Sequence, residues 1–244
     1  MKLFWLGHAC FLVEQDGYTI LLDPYTGVEG YPPLYETAVR AANPGMKEGG
    51  VRIRLPVRMH IEYTDGPVTP GEEKIYVNRV LCSHGHFDHS AVELTALLPE
   101  APCPFSIRTV ETFHDDQGGA LRGSNTVHIL SAGGVTVAHL GDLGCQLSPE
   151  QIAEIGPLDA VLIPVGGTYT VDAAGARAVC EALRPRCAVP MHYRHAPYGL
   201  PNVGGVEEFL ELWPREQVHR LGGPLCEITG GCSGVLVPRF SEEG

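Results

Sequence analysis

The sequence predicts an α+β domain with sheets in the middle and helices outside. Three observations predict it. Short apolar runs separated by turn residues open the chain as a meander of strands. Later runs of the same kind alternate with segments of helical spacing. No repeat or low-complexity linker divides the 244 residues, a length that one well-buried core accommodates. A composition of 44% hydrophobic and 19% charged residues places the chain with globular rather than disordered proteins.

In chain order, "KLFWLG", "ACFLVEQ" and "YTILLDP" read as three short strands, broken by Gly7 and by the hairpin signal Asp16-Gly17. A Gly- and Pro-rich segment, about residues 26–75, then stands apart as an inserted hairpin or lid. Inside it "VRIRLPVRMHIEY" alternates strictly, with Val51, Ile53, Leu55 and Val57 on one face and Arg52, Arg54 and Arg58 on the other. Pro56 cannot donate to a ladder, so this strand belongs at an edge or in a protruding hairpin. Its arginines either guard that edge or meet an anionic substrate or a second copy of the chain. "VNRVLCS" is a strand that runs into a His-rich loop, and "SAVELTALL" beyond it has helical spacing. "TVHIL" and "GVTVAHL" flank "SAGG" as a hairpin. "DAVLIPV" reads as a buried strand, "VDAAGARAVCEAL" as a helix and "CAVPMH" as a strand. A helix at "GVEEFLELW" and short strands at "QVHRL" and "SGVLVP" complete the chain.

Charge and composition remove several function classes. The formal net charge of -12 repels phosphate backbones and anionic lipid, which disfavours broad nucleic-acid or membrane binding. No apolar run reaches the length of a membrane-spanning helix, and the opening residues lack the pattern of a signal peptide, so the cytoplasm is the expected compartment. None of the eight cysteines forms a C-x-x-C pair, and they are expected to be reduced thiols packed like small hydrophobes.

The chemistry concentrates in "SHGHFDHS", residues 83–90. His84 and His86 are two apart at a strand end and can point the same way, with Gly85 leaving room between them. Asp88 and His89 follow where the chain is expected to turn into a helix. Four such groups cannot all reach one small ion from so short a loop, so two adjacent ions are the easier arrangement. Imidazole with carboxylate suits zinc, iron, manganese or nickel, and Asp is more at home where water is activated than in a structural zinc site.

"HGHFDH" matches the H-x-H-x-D-H motif, and "TFHDD", "AHLGDLG" and "VPMHYR" follow it in order. On these stations the chain resembles the metallo-beta-lactamase superfamily. "GHAC", "HLGD" and "IPVGGTYT" with "PMHY" resemble its branch of small stand-alone hydrolases, which includes an ascorbate-phosphate lactonase. The resemblance covers nearly the whole chain outside residues 26–75 and implies a four-layer αββα sandwich with two divalent metals, zinc foremost. By motif it implies His84, His86 and His114 on one metal, Asp88, His89 and His192 on the other, and Asp142 bridging both. It further implies that Asp23 supports a ligand from behind, and it places His8 and Tyr169 near the site. "FHDDQGG" also offers Asp115 and Asp116 as rivals to His114. His139 alternates with Val135 and Val137 within a strand and reads as a core or supporting histidine. His60, His128, His195 and His219 read as structural, His195 being the candidate exception because it follows "MHYR".

Two metals about 3.5–4 Å apart would share a water and lower its pKa from ~15.7 toward ~7, making a bridging hydroxide the nucleophile. Asp88 would orient it or take its proton. "PVGGTYT" offers backbone N–H groups to an anion or else is a plain turn capped by Thr170 or Asp172. In "RGSNT" either Arg122 holds a substrate anion or Asn125 only forms a turn. The expected function is therefore hydrolysis of an ester, lactone or phosphodiester in a small molecule. The alternative is a nuclease or phosphodiesterase on a polymer, for which only the arginine strand speaks. An oxygen-handling iron protein ranks below both, because no flavin or electron-transfer module is visible. A second copy of the chain could bind through the 26–75 segment.

Overall fold

The computed structural model describes residues 1–42 and 74–240. Two mixed sheets pack face to face with helices on both outer faces, giving the αββα arrangement. The first sheet begins with β1 (Lys2–Trp5), β2 (Phe11–Gln15) and β3 (Tyr18–Leu22), an antiparallel meander. Asp16 and Gly17, both at positive φ, close the β2–β3 hairpin as its sequence predicts. Alternate residues divide this meander between two cores. Leu3, Trp5, Phe11, Val13, Ile20 and Leu22 face the second sheet, while Phe4, Leu12 and Leu21 join Leu34 and Ala38 of helix α1 (Leu34–Ala42).

The predicted strand "VNRVLCS" is divided at Asn78. β4 (Ile75–Val77) and β5 (Arg79–Leu81) enter different sheets, because Asn78 turns aside to bond Thr19. The predicted helix at "SAVELTALL" is absent. A single 3-10 turn, Val92–Leu94, leads into strand β6 (Thr95–Leu97), which pairs in parallel with β4. Tertiary pairing overrides a local spacing in which Val92 and Leu97 point to solvent. The His-rich loop accordingly ends in this turn rather than in a helix. Helix α1 falls inside the segment expected to be an insertion. The amphipathic strand at residues 51–63, with its arginines, His60 and the expected contact to a second copy, lies outside the described residues.

The second sheet holds β7 (Ser106–Phe113), β8 (Ser124–Ala132), β9 (Val135–His139), β10 (Ala160–Pro164), β11 (Cys187–Met191), β12 (Val218–Arg220) and β14 (Gly234–Val237). Its order is 12-14-11-10-9-8-7, and β13 (Leu225–Glu227) joins the first sheet beside β1. Gly133 and Gly134, both at positive φ, close the predicted β8–β9 hairpin. Helix α2 (Pro149–Ile155) and helix α3 (Ala173–Leu183) cover the outer face, with the one-turn α4 (Glu207–Leu210), shorter than its sequence pattern suggests. Strand β7 and helix α2 were not singled out from the sequence. Yet α2 carries a full capping box, in which Ser148 Oγ accepts from Gln151 N–H and Gln151 Oε1 accepts from Ser148 N–H.

Strand direction decides where the chemistry gathers. Within the first sheet β1 and β3 run the same way and β5 runs parallel to β3. Within the second, β7, β9, β10 and β11 share one direction. His8, Asp23 and His84 follow the C-terminal ends of β1, β3 and β5, and His114, Asp142 and His192 follow those of β7, β9 and β11. No helix among the described residues is long and apolar enough to cross a membrane.

The capping box gives a stability test. Ser148→Ala should lower unfolding free energy by about 1 kcal/mol, read as a lower urea midpoint at unchanged slope.

Candidate metal centre

Asp23 organises the first half of the site. Its carboxylate, fully buried, accepts from Ser83 N–H at 2.6 Å, Ser83 Oγ at 2.6 Å and His89 Nδ1 at 2.8 Å. The parallel pairing of Leu22 with Leu81 brings these residues together, since Asp23 and Ser83 follow just beyond that pair. Burial alone would raise the Asp23 pKa, but His139, His89 and Ser83 outweigh it and hold the group at about 2. Because the Ser83 hydroxyl donates to Asp23, His84 Nδ1 must donate to Ser83 Oγ, at 2.9 Å. His84 and His89 are thereby locked with their Nε2 atoms turned away from their supports.

Those atoms meet side chains from the second sheet. Three overlapping groups have ligand atoms within 4.8 Å of one another: His84, His86 and His114; His84, His89 and Asp142; and His8, Asp88, His89 and His192. The structure therefore brings together all seven residues of the ligand set that the sequence implies, and adds His8. Asp142 lies between the groups, with Oδ2 at 3.3 Å from His114 Nε2 and 3.2 Å from His192 Nε2, and Oδ1 at 3.2 Å from His89 Nε2. Ligands of a tetrahedral ion at 2.0–2.1 Å stand roughly 3.3 Å apart, so these separations suit a cation held among them.

Unsatisfied atoms point the same way. His89 Nε2 and Asp142 Oδ1, both facing the cluster, are buried without a hydrogen-bond partner. Such groups are costly unless something answers them. Burial pushes the His84 pKa down to about 3, with His89 adding to the effect, and burial with His192 lowers His8 to about 4. Burial would also raise Asp142, but His192 and His89 hold it well below the carboxylate range. His84 and His8 are thus held as neutral imidazoles and Asp142 as an ionised carboxylate, the forms that bind a divalent ion, whereas at His89 burial is outweighed by Asp142 and Asp23, which raise its pKa well above the imidazole value.

The rival carboxylate beside His114 has another task. Asp115 accepts from the backbone N–H groups of Gln117, Gly119, Leu121 and Arg122 at 2.7–3.0 Å. With its oxygens committed to that loop, it fixes the chain around His114 and offers the cleft nothing. Asn125, read from sequence as a turn residue, is a buried brace in strand β8. Its Oδ1 accepts from Asp142 N–H at 2.9 Å, and its Nδ2 donates to Thr112 Oγ1 and the Leu140 carbonyl. Gly141, at positive φ, presses against Asn125 and Ser83 so closely that any Cβ would collide with both. Ser83 and Asn125 are the residues that sequence reasoning missed. The only signal for either was adjacency, Ser83 standing immediately before His84.

His139 is structural, as expected: Nε2 donates to the Ala9 carbonyl at 2.8 Å and Nδ1 accepts from Gly141 N–H at 3.2 Å. His128 Nε2 bonds the Cys82 carbonyl, and His195 Nε2 bonds Tyr31 Oη at 2.8 Å. Tyr31 Oη also accepts from His8 N–H, so His195 supports the centre at one remove. His8 docks the second sheet as well, since its carbonyl accepts from His192 N–H at 3.1 Å. Its ring Nε2 is 3.2 Å from Asp88 Oδ2.

The "PVGGTYT" loop forms a turn in which the N–H groups of Gly167, Tyr169 and Thr170 donate to the Val171 and Gly167 carbonyls. Asp172 caps α3 through Gly175 N–H. Gly166 lies against the His192 carbonyl, so this loop borders the centre. Arg122 reaches it from the His114 side, donating to the Thr168 carbonyl at 3.2 Å with its guanidinium 5.6 Å from the Tyr169 ring centroid.

A family model described as a beta-lactamase superfamily domain matches residues 2–192. A solved structure from Thermotoga maritima, described as a candidate zinc-dependent hydrolase of the metallo-beta-lactamase superfamily, superposes with a TM-score of 0.64. It is 28% identical, and the match covers 97% of each chain. The chain belongs to the metallo-beta-lactamase superfamily. Similar superfamily proteins include a UPF0173 metal-dependent hydrolase of Archaeoglobus fulgidus, 30% identical over 81% of this chain and 85% of its own. Another of that name, from Carboxydothermus hydrogenoformans, is 27% identical over 85% of this chain and 91% of its own. Igni18, described as a metallo hydrolase of Ignicoccus hospitalis, shares the fold with a TM-score of 0.56 at 20% identity, covering 99% of this chain and 96% of its own.

Removing the buried support should weaken the centre without dismantling it. Asp23→Asn is expected to lower metal affinity by roughly 10- to 100-fold in chelator competition, while far-UV circular dichroism stays unchanged.

Proposed function

We propose that this protein is a metal-dependent hydrolase that holds two divalent ions, zinc foremost, and cleaves an ester, lactone or phosphodiester bond in a small molecule. The observation that carries this reading is the position of Asp142 between two histidine groups, each reaching it at 3.2–3.3 Å. The names of the similar proteins support the hydrolytic class.

His84, His86 and His114 would hold one ion, Asp88, His89 and His192 the other, and Asp142 both. Bound there, the ions supply Lewis acidity and an acidified water as nucleophile, so no serine or cysteine is required. The chain's own residues supply orientation and proton handling. Asp142 is buried and its oxygens face imidazoles, so it positions. Asp88 keeps 13% of its side chain exposed, which makes it the carboxylate that can take a proton at Oδ from the entering water and pass it to a leaving group. His8, held neutral, donates from Nε2 to Asp88 Oδ2 and fixes that carboxylate's orientation. On the open side, Arg122 and Tyr169 form a wall where an anionic group of the substrate can rest. The acidic chain as a whole favours a compact partner over nucleic acid or membrane, and a reduced, cytoplasmic setting fits its free thiols.

The deciding experiment uses metal-loaded protein, a chromogenic phosphodiester and a panel of lactones and esters, beside Asp142→Ala. Wild type should bind about two ions and turn over one bond class, with ions and turnover lost together in the variant. Turnover that survives without metal would overturn the reading, and the responding class separates carbonyl from phosphodiester hydrolysis. Arg122→Ala should raise KM roughly five- to tenfold for an anionic substrate and leave kcat unchanged, as measured in the same assay.

A further inference from the structure

Two cysteines at the far end of the second sheet make a contact that metal chemistry does not use. Cys187 opens β11, and Cys232 lies in the turn before β14, the strand that pairs in parallel with β11 and places Gly234 opposite Cys187. Their Sγ atoms are 3.0 Å apart, about 1 Å beyond a disulfide bond of about 2.05 Å. Both are free thiols that share one acceptor, the Asp159 carbonyl, at 3.4 Å from Cys187 Sγ and 3.8 Å from Cys232 Sγ. A common acceptor keeps the two sulfurs on the same side of their strands. Cys187 is 1% exposed and Cys232 half-buried, so a reagent reaches Cys232 first. Burial, followed by the hydrogen bond to Cys232, pushes the Cys187 thiol well up, so Cys187 is the slower, second partner.

We propose that Cys187 and Cys232 are a disulfide-forming site that closes on reaction with an oxidised low-molecular-weight disulfide. The Cys232 thiolate attacks one sulfur of the reagent and expels the first reagent thiolate, leaving a mixed disulfide. Cys187 gives up its proton and attacks Cys232 Sγ, and the second reagent thiolate leaves. Two protein thiols are oxidised to one disulfide, the reagent is reduced to two thiols, and the two protons pass to solvent or to the departing thiolates.

The site is a covalent staple rather than an activity switch. Cys187 begins β11 and His192 follows its last residue, so the new bond lies about 16 Å along the strand from the candidate metal centre. It ties the turn between β13 and β14 to the start of β11, closing a loop of about 45 residues that holds α4, β12 and β13 and restricting the unfolded chain over that stretch.

The test treats fully reduced, full-length protein with oxidised glutathione, followed by peptide mapping and thermal melting. Exposed Cys103 serves as the control for reagent access by taking up glutathione. The expected result is a linked Cys187–Cys232 peptide, a Tm raised by roughly 5–10 °C and reversed by reductant, and unchanged metal content. Cys232→Ser, conservative and half-buried, should lose both the link and the shift. Glutathione remaining on Cys232, or both thiols staying free while Cys103 reacts, would overturn the proposal. Because mapping and melting need no metal, failure here is separate from failure of the hydrolase reading.

Discussion

A carboxylate with no access to water sits under the centre, and much of the molecule is arranged to keep it charged. Asp23 accepts three hydrogen bonds from two residues. Without them a buried Asp would take up a proton, and His89 would lose the group that fixes its tautomer. Ser83, bonded to it through both backbone and side chain, passes the constraint on. Its hydroxyl sets the His84 ring, and its carbonyl accepts from Thr126 N–H at 2.8 Å, linking the first sheet to β8 of the second. One charge thus fixes the orientation of two candidate ligands and part of the junction between sheets.

The second constraint is strand polarity. Parallel neighbours deliver successive chain exits to one edge, and the two sheets are stacked so that their exit edges coincide. His8, Asp23 and His192 leave their strands at φ values of 51°, 45° and 50°, a left-handed conformation that costs a non-glycine residue free energy. Each of these turns is held by a hydrogen bond: His192 N–H to the His8 carbonyl, His8 N–H to Tyr31 Oη, and Asp23 N–H to the Leu81 carbonyl. The strain is therefore maintained by the fold. It coincides with the places where a side chain must be turned into the cleft instead of continuing along its sheet.

The opening strands, both hairpins and the alternation of β10, α3 and β11 were legible, because each rests on a local signal: alternation, a turn dipeptide or a cap. The gathering of the candidate ligands was legible for a different reason. Metal chemistry permits few residue types, and the motif stations stand in order along the chain. What stayed hidden was nonlocal. "SAVELTALL" has helical spacing, yet becomes a turn and a strand because β4 supplies a partner that the spacing cannot announce. Asn125 and Asp115 looked like a turn residue and a rival ligand. Their roles depend on which backbone N–H groups the folded loops present to them, and no periodicity encodes that. Tyr31 reaches the centre from the segment read as an insertion, so part of that segment supports the site.

These supports bear on what kind of metal site the chain builds. In a structural zinc site the ion itself holds the ligands together, and the apo chain unfolds. Here protein contacts fix the candidate ligands: Asp23 and Ser83 behind His84 and His89, Asn125 behind Asp142, Asp115 around His114, and the His8 carbonyl, from the other sheet, against His192. Binding energy is then not consumed in folding and remains available to hold an ion whose coordination is left open. The exposure pattern agrees. Asp142 and His89 are sealed, whereas His86 is exposed and Asp88 partly so, which gives the cluster one wet side. A site closed for stability would bury all its donors. One that keeps a carboxylate and an imidazole at the surface of an otherwise sealed cluster is built to admit a reacting molecule.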